Sequence, residues 1–481
     1  MERIEALERE SRDLLARLDL VRARIRQESP RFADLVQPET VSLDDIQKRL
    51  LDPNDLLLVY SLGDDRSFVW AVSQQSFTFA ELAGRERIEG AAERFHELLS
   101  RSSQRAKSAR QPAAEEVGEL VLAPVADRLR NFGRLLVVAD GALQKIPFAA
   151  LSLPGNEGQR QLVLERHEIV MLPSASVLAT LRRETGGRRL RLENPLVAVV
   201  ADPVFQRNDE RVRNGAAPAN AETIRDPGLR AATRDLGLTA LERLPHTRRE
   251  ADAIVSRVER ERDRAIFLDF QADRALLTQG RLKRFRVLHF ATHSVINDRQ
   301  PELSGLVFSL VGPDGRPREG FLRLHEIYNL DIEADLVVLS ACQTGVGREI
   351  RGEGLDGIVR GFMHAGVPGV IVSLWNVDDA ATAELMSRFY KHLLDDGQKP
   401  PAALRSAQLS MLRDPAWSDA ELWAGFVFIG DPAVKPGGGI EEEDTGGVTP
   451  AKKADHDLPP PKIAPDDEPP VLLPRDREPE V

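Results

Sequence analysis

The chain has 481 residues, 42% of them hydrophobic and 29% charged, enough for a large core and two to four units of ordinary domain size. Lys and Arg number 65 against 76 Asp and Glu; the net charge of −11 argues against nucleic acid or an anionic membrane surface as main partner. One cysteine excludes an intramolecular disulfide, and with nine dispersed histidines it makes no zinc ligand set, so neither a metal nor another cofactor is expected.

The first residues, MERIEALERE, are charged from the second position and lack the apolar core of a signal peptide. No apolar run approaches the eighteen or so residues of a membrane span, and the expected location is cytoplasmic. Ile4, Leu7, Leu14, Leu18, Val21 and Ile25 recur on a three-four spacing, which predicts a helix with a narrow apolar seam within residues 1–50. From Pro53 the texture changes. DLLLVYSL and FVWAVS, separated by Gly63, Asp64 and Asp65, read as a β-hairpin. A helix is predicted over 86–108 and a buried strand over 134–139, and the α/β texture continues to a basic, glycine-broken linker at 182–191.

A second α/β unit opens with the strand PLVAVVADPVF and a polar stretch, through about Leu236, that reads as a mobile loop. Strands are predicted at 265–268, 286–291, 335–341, 369–374 and 426–429, with helices at 354–366, 380–394 and 401–412 between the later ones. Such alternation predicts a mostly parallel sheet covered on both faces. Residues 436–481 hold ten Pro, twelve Asp or Glu and five Lys or Arg, a disordered acidic tail.

Functional groups in parallel sheets collect beyond the carboxyl ends of strands, and two strands here end in reactive residues. VLHFAT runs into His293, and DLVVLSA runs into Cys342, the only cysteine. A free thiol of pKa near ~8.5 is mostly protonated at pH 7, and an imidazole within reach accepts its proton or stabilises the thiolate. The backbone N–H groups of Ser294 and Cys342 are the natural donors to an oxyanion. The bland alternative makes Cys342 a buried small hydrophobe and His293 a satisfied loop histidine. Both residues terminate strands, however, and their separation of 49 positions is close to the roughly 50 of caspases. His289 reads as a structural residue pointing into the fold, and His364 has no motif around it. No G-x-S-x-G turn ends a strand, which excludes an α/β hydrolase.

HFATHS at 289–294, the block from LSACQTG at 339 to SRFY at 390, and WAGFVFIGDP at 423–432 strongly resemble the CHAT family. DGALQKIPFAAL, LPSASVL, ADPVF and LPHTRREA resemble it more weakly, so the likeness runs from about residue 50 to 433. These are caspase-like cysteine peptidases related to separase, usually found behind tetratricopeptide repeats in bacteria; no such repeat is recognisable in this sequence. The resemblance implies an N-terminal helical segment (1–50), a degenerate caspase-like α/β half (51–192), a protease half (193–435) with His293 and Cys342 as the dyad, and the tail (436–481). It implies a protein substrate and an activating or recruiting protein partner. The rival reading is a catalytically silent binding or assembly module on the same fold.

Ser294 stands where the family usually has glycine, which would strain the loop if positive φ were needed there. Asp378 and Asp379 follow the strand whose end lines the primary substrate pocket in caspase-like sheets. Acids there would favour Arg or Lys before the scissile bond, although Asp379 also reads as a helix N-cap. Glu353, a third candidate for that pocket, and Asp356 flank the loop after Cys342, with ordering of that loop as their alternative role. Gly345, Gly347 and Gly352, with Arg348 and Arg351 between them, mark that loop as one that orders on binding.

Overall fold

The computed structural model describes residues 39–154, 161–186, 194–212, 224, 226–235, 240–297, 300–340, 343–344 and 353–436, with Arg17 and Arg24. Residues 343–344 and 353–356 are described by their backbone alone. The predicted seam helix, the acidic tail beyond residue 436, Cys342 and the glycine-rich loop after Thr344 lie outside the described residues.

The predicted hairpin is β1 (Asp55–Ser61) against β2 (Ser67–Ser73), and β3 (Ser76–Leu82), which the pattern did not predict, extends it antiparallel. β3 is an edge strand with Phe77 and Phe79 exposed, so its apolar residues do not mark a buried face. The helix expected over 86–108 is two helices, α1 (Arg85–Leu99) and α2 (Gln104–Val121). Ser103 restarts the chain as N-cap of α2, accepting from Ala106 N–H at 3.1 Å. β4 (Arg134–Val138) and β5 (Glu168–Met171) follow, both parallel to their neighbours, and α3 (Ala175–Gly186) closes this half.

The second half contributes β6 (Val197–Pro203), α4 (Pro227–Asp235), α5 (His246–Val255), β7 (Arg264–Asp269) and β8 (Val287–Ala291). α4 lies inside the stretch read from sequence as a loop. Asp226 starts it by accepting from Leu229 N–H at 2.9 Å. Three short strands come next: β9 (Ser294–Ile296), β10 (Gly305–Val307) and β11 (Phe321–Arg323), followed by α6 (Leu324–Tyr328). The chain then runs through β12 (Leu336–Leu339), β13 (Gln343–Thr344), α7 (Glu353–Ala365), β14 (Gly369–Ser373), α8 (Asp379–Tyr390), α9 (Pro400–Leu412) and β15 (Phe426–Gly430).

Eleven strands form one sheet in the order β3-β2-β1-β4-β5-β15-β14-β12-β8-β6-β7, and β11-β10-β9-β13 form a smaller one. The large sheet is parallel except at β14–β15 and at the β1–β2–β3 end, so the fold is the expected α/β class, a mostly parallel sheet flanked by helices. β8 and β12 are buried at every residue, His289 of β8 included, as strands covered by helices on both faces require. β5 and β15 join the two halves, with Met171 paired to Ile429. Side chains reinforce the join: buried Arg110 of α2 binds Asp419 and Glu421, and Arg405 of α9 donates to Leu164 O at 2.9 Å. Gly430 sits at φ 132°, where a Cβ would stand 2.2 Å from the Pro368 carbonyl; only glycine closes the β14–β15 ladder there.

The small sheet has its own apolar cluster of Phe205, Leu229, Ala232, Leu241, Val295, Val307, Leu310 and Phe321, apart from the main core. It stands beyond the carboxyl ends of the parallel strands, and the His293 ring packs against its Phe205.

Candidate active site

β8 and β12 are adjacent and parallel, with Val287 opposite Leu336 and Phe290 opposite Leu339. Each partner lies 49 positions further along the chain, the separation of His293 and Cys342. Beyond the strand ends Ser340 N–H donates to Phe290 O at 3.1 Å, and β13 pairs with β9 through Gln343–Val295 and Thr344–Ile296. Described residues on both sides of position 342 therefore pair with residues on both sides of His293.

His293 follows Thr292 at the end of β8 and is only 4% exposed. Thr292 Oγ1 donates to the Val307 carbonyl, and Val307 N–H donates to His293 O at 2.9 Å, so the turn from β8 into β9 is pinned to β10. The imidazole packs on Phe205 with ring centroids 4.8 Å apart. Its Nε2 lies 2.7 Å from the carbonyl oxygen of Glu242. A carbonyl only accepts, so Nε2 carries the proton and, in the neutral ring, Nδ1 holds the lone pair. Among the described residues nothing hydrogen-bonds to Nδ1. Burial pulls the imidazole below its ordinary pKa, with the hydrogen bond and charge of Glu242 opposing, so the neutral ring is favoured.

Ser294 is the first residue of β9, fully buried and paired with Leu306. Because the neighbouring Val307 N–H bonds His293 O, Ser294 and Leu306 form a non-hydrogen-bonded pair, and the Ser294 N–H turns away from β10. The strain anticipated at this position is absent. Among the described non-glycine residues positive φ occurs only at Asp202 and Asp269, and Ser294 is regular strand.

The CHAT domain family model matches residues 111–431. This chain belongs to that family. Over 113 residues the CHAT chain is 37% identical to tetratricopeptide repeat protein 28 of Mus musculus and 34% to that of Homo sapiens, covering 24% of this chain and 4% of each relative. It thus spans 4% of the length of the curated relatives it matches. Among solved structures it is similar to a Saccharomyces cerevisiae separase–securin complex, with TM-score 0.49, 9% identity, and coverage of 84% of this chain and 31% of that one. It is also similar to the Arg-specific cysteine proteinase gingipain R, with TM-score 0.38, 9% identity, and coverage of 73% and 76%.

In this CHAT domain the two acids after β14 have different employments. Asp378, exposed and non-helical at φ −50° and ψ 134°, is the N-cap of α8 and accepts from Ala380 and Ala381 N–H, both at 3.0 Å. The cap expected at Asp379 thus falls one residue earlier. Asp379 Oδ2 instead accepts from His246 N–H at 3.0 Å at the start of α5, and burial raises its carboxyl above the ordinary range. The Glu353 side chain lies outside the described residues.

His289 is fully buried, as its reading as a structural residue requires. Nδ1 lies 3.1 Å from Tyr390 OH, and Nε2 lies 2.8 Å from Glu250 Oε1 without hydrogen-bond alignment. Among the described residues there is no cluster of three or more His, Cys, Asp and Glu side chains that could hold a metal, and no helix long and apolar enough to cross a membrane. What the sequence hid was the Glu242 carbonyl: a backbone atom 51 positions from its partner leaves no mark in residue type.

Proposed function

We propose that this CHAT domain is a cysteine endopeptidase acting on a protein substrate, with Cys342 as nucleophile and His293 as base. The observation that carries this reading is the 2.7 Å contact of His293 Nε2 with Glu242 O at the end of β8, beside the strand that leads to Cys342. It commits one ring nitrogen to the backbone and leaves the other as base. His293 Nδ1 takes the Cys342 proton as sulfur attacks the scissile carbonyl. It returns that proton to the leaving amine as the C–N bond breaks, and water then hydrolyses the thioester to a carboxylic acid and regenerates the thiol. The N–H of Ser294, turned away from β10, and that of Cys342 donate to the oxyanion.

Substrate choice falls to acidic side chains, with a basic residue preceding the scissile bond. Asp378 is exposed, and its Oδ2 has no hydrogen-bond partner among the described residues; this makes it the preferred acid over the half-buried Asp379, with Glu353 as the third candidate. The deep burial of His293 supports control by an activating or recruiting protein partner that opens access to the ring. The test is cleavage of a peptide library with basic residues by the full-length chain, with the candidate partner present, against Cys342→Ala. Turnover confined to the unsubstituted chain supports the proposal, and equal turnover by the alanine variant ends it.

A further inference from the structure

Residues 240–245, which carry the Glu242 carbonyl, are neither helix nor strand, so no ladder fixes that oxygen. Side chains on both flanks do so. Gln206 Nε2 donates to Leu241 O at 2.8 Å, and the Leu241 side chain is buried with Phe205 and Val295. On the other flank Arg243 lays Nε and Nη2 on the two carboxylate oxygens of Asp202, each at 2.9 Å. Asp202 is fully buried at the carboxyl end of β6 and held at φ 48°. Its N–H donates to Thr247 Oγ1 at 3.1 Å, and that hydroxyl donates to Leu244 O at 2.6 Å. Arg211 Nη1 and Arg248 Nε complete the carboxylate's partners, each at 3.0 Å. A non-glycine residue at positive φ persists only where its surroundings over-determine it. Here two of those partners, Arg243 and Thr247, sit on the loop beside His293 and in the first turn of the helix it leads into.

We propose that Arg243 and Asp202 form a positioning clamp that holds the Glu242 carbonyl on His293 and thereby sets which imidazole nitrogen acts as base. The catalytic consequence rests on the peptidase reading above, whereas the tautomer does not. The two parallel bonds of a guanidinium on a carboxylate fix direction as well as distance, which a lysine ammonium cannot reproduce. Once the fork is lost the loop carbonyl wanders, and the ring proton distributes between Nδ1 and Nε2. Chemistry slows, while substrate affinity stays, because Arg243 acts through the backbone of its neighbour.

The test uses the full-length chain labelled with ¹⁵N-histidine, with His293 assigned by the signal lost in His293→Gln. Arg243→Gln leaves Asp202 its contacts with Arg211 and Arg248 and so preserves the fold; Arg243→Lys, which keeps the charge, serves as the second variant. The unsubstituted chain should show the Nε2–H tautomer of His293, Arg243→Gln a mixture, and Arg243→Lys an intermediate ratio. In cleavage assays kcat of Arg243→Gln should fall by at least about tenfold with KM held within about twofold. The same tautomer ratio in all three proteins, or an unchanged kcat, overturns the clamp. If the unsubstituted chain cleaves nothing, the peptidase reading fails by itself and the tautomer ratio alone decides the clamp.

Discussion

His289 Nε2 and Glu250 Oε1 face each other at 2.8 Å with no exposure on either side chain, and His289 lies on β8 four residues before His293. Both polar ends are buried, so removing one leaves the other facing an apolar gap with nothing polar in reach. Glu250→Ala should therefore destabilise the chain by about 2 kcal/mol in urea unfolding. Tyr390→Phe, which removes only the hydroxyl at His289 Nδ1, should cost about 1 kcal/mol. An unchanged midpoint for Glu250→Ala would mean that the pair contributes nothing to stability.

Asp378 has two separable functions, a cap and a charge. Asp378→Ala removes the acceptor for Ala380 and Ala381 N–H and should cost about 1 kcal/mol of stability. Asp378→Asn keeps an acceptor there and should unfold within about 0.5 kcal/mol of the unsubstituted chain. If this carboxylate receives the basic substrate residue, Asp378→Asn should nonetheless lose turnover of Arg and Lys peptides. Full activity in Asp378→Asn would remove it from the pocket.

Burial lowers the pKa of His293, and likewise of His96 and His167. Each depressed group leaves the folded chain with fewer bound protons than the unfolded chain once the pH falls below about 6.5. Their contribution to stability is thus complete above pH ~6.5 and is lost as the pH falls through the folded values. Urea midpoints should accordingly decline between pH ~7.5 and pH ~5.5, and a flat profile across that window would contradict the assignment. The acid limb of kcat/KM should lie below pH ~6.5. Glu242→Gln should move it lower still, because the Glu242 charge raises the His293 pKa.

The elements that build the site were the most legible in sequence. β12 is an unbroken apolar run and β8 is one but for His289, and helices such as Pro400–Leu412 and Asp379–Tyr390 fall where apolar periodicity predicts them. β3 escaped because it alternates exposed aromatics with half-buried small residues at a sheet edge. α4 escaped because its polar surroundings outweigh the one face it buries through Leu229 and Ala232. Two adjacent aspartates could equally cap α8, and only the backbone angles choose Asp378. His293 could be read as a residue in place; its tautomer could not, because a carbonyl on a loop determines it.

The order of the large sheet has a consequence for synthesis on the ribosome. β15 is the last of the described strands to emerge, yet it lies in the interior of the sheet, between β14 of one half and β5 of the other. Until residues 426–430 leave the exit tunnel, both neighbours present open edges and the halves have no strand in common. A nascent chain stalled before residue 426 would hold two incomplete sheets awaiting their keystone, and the join that Met171 and Ile429 make is among the final acts of folding during translation.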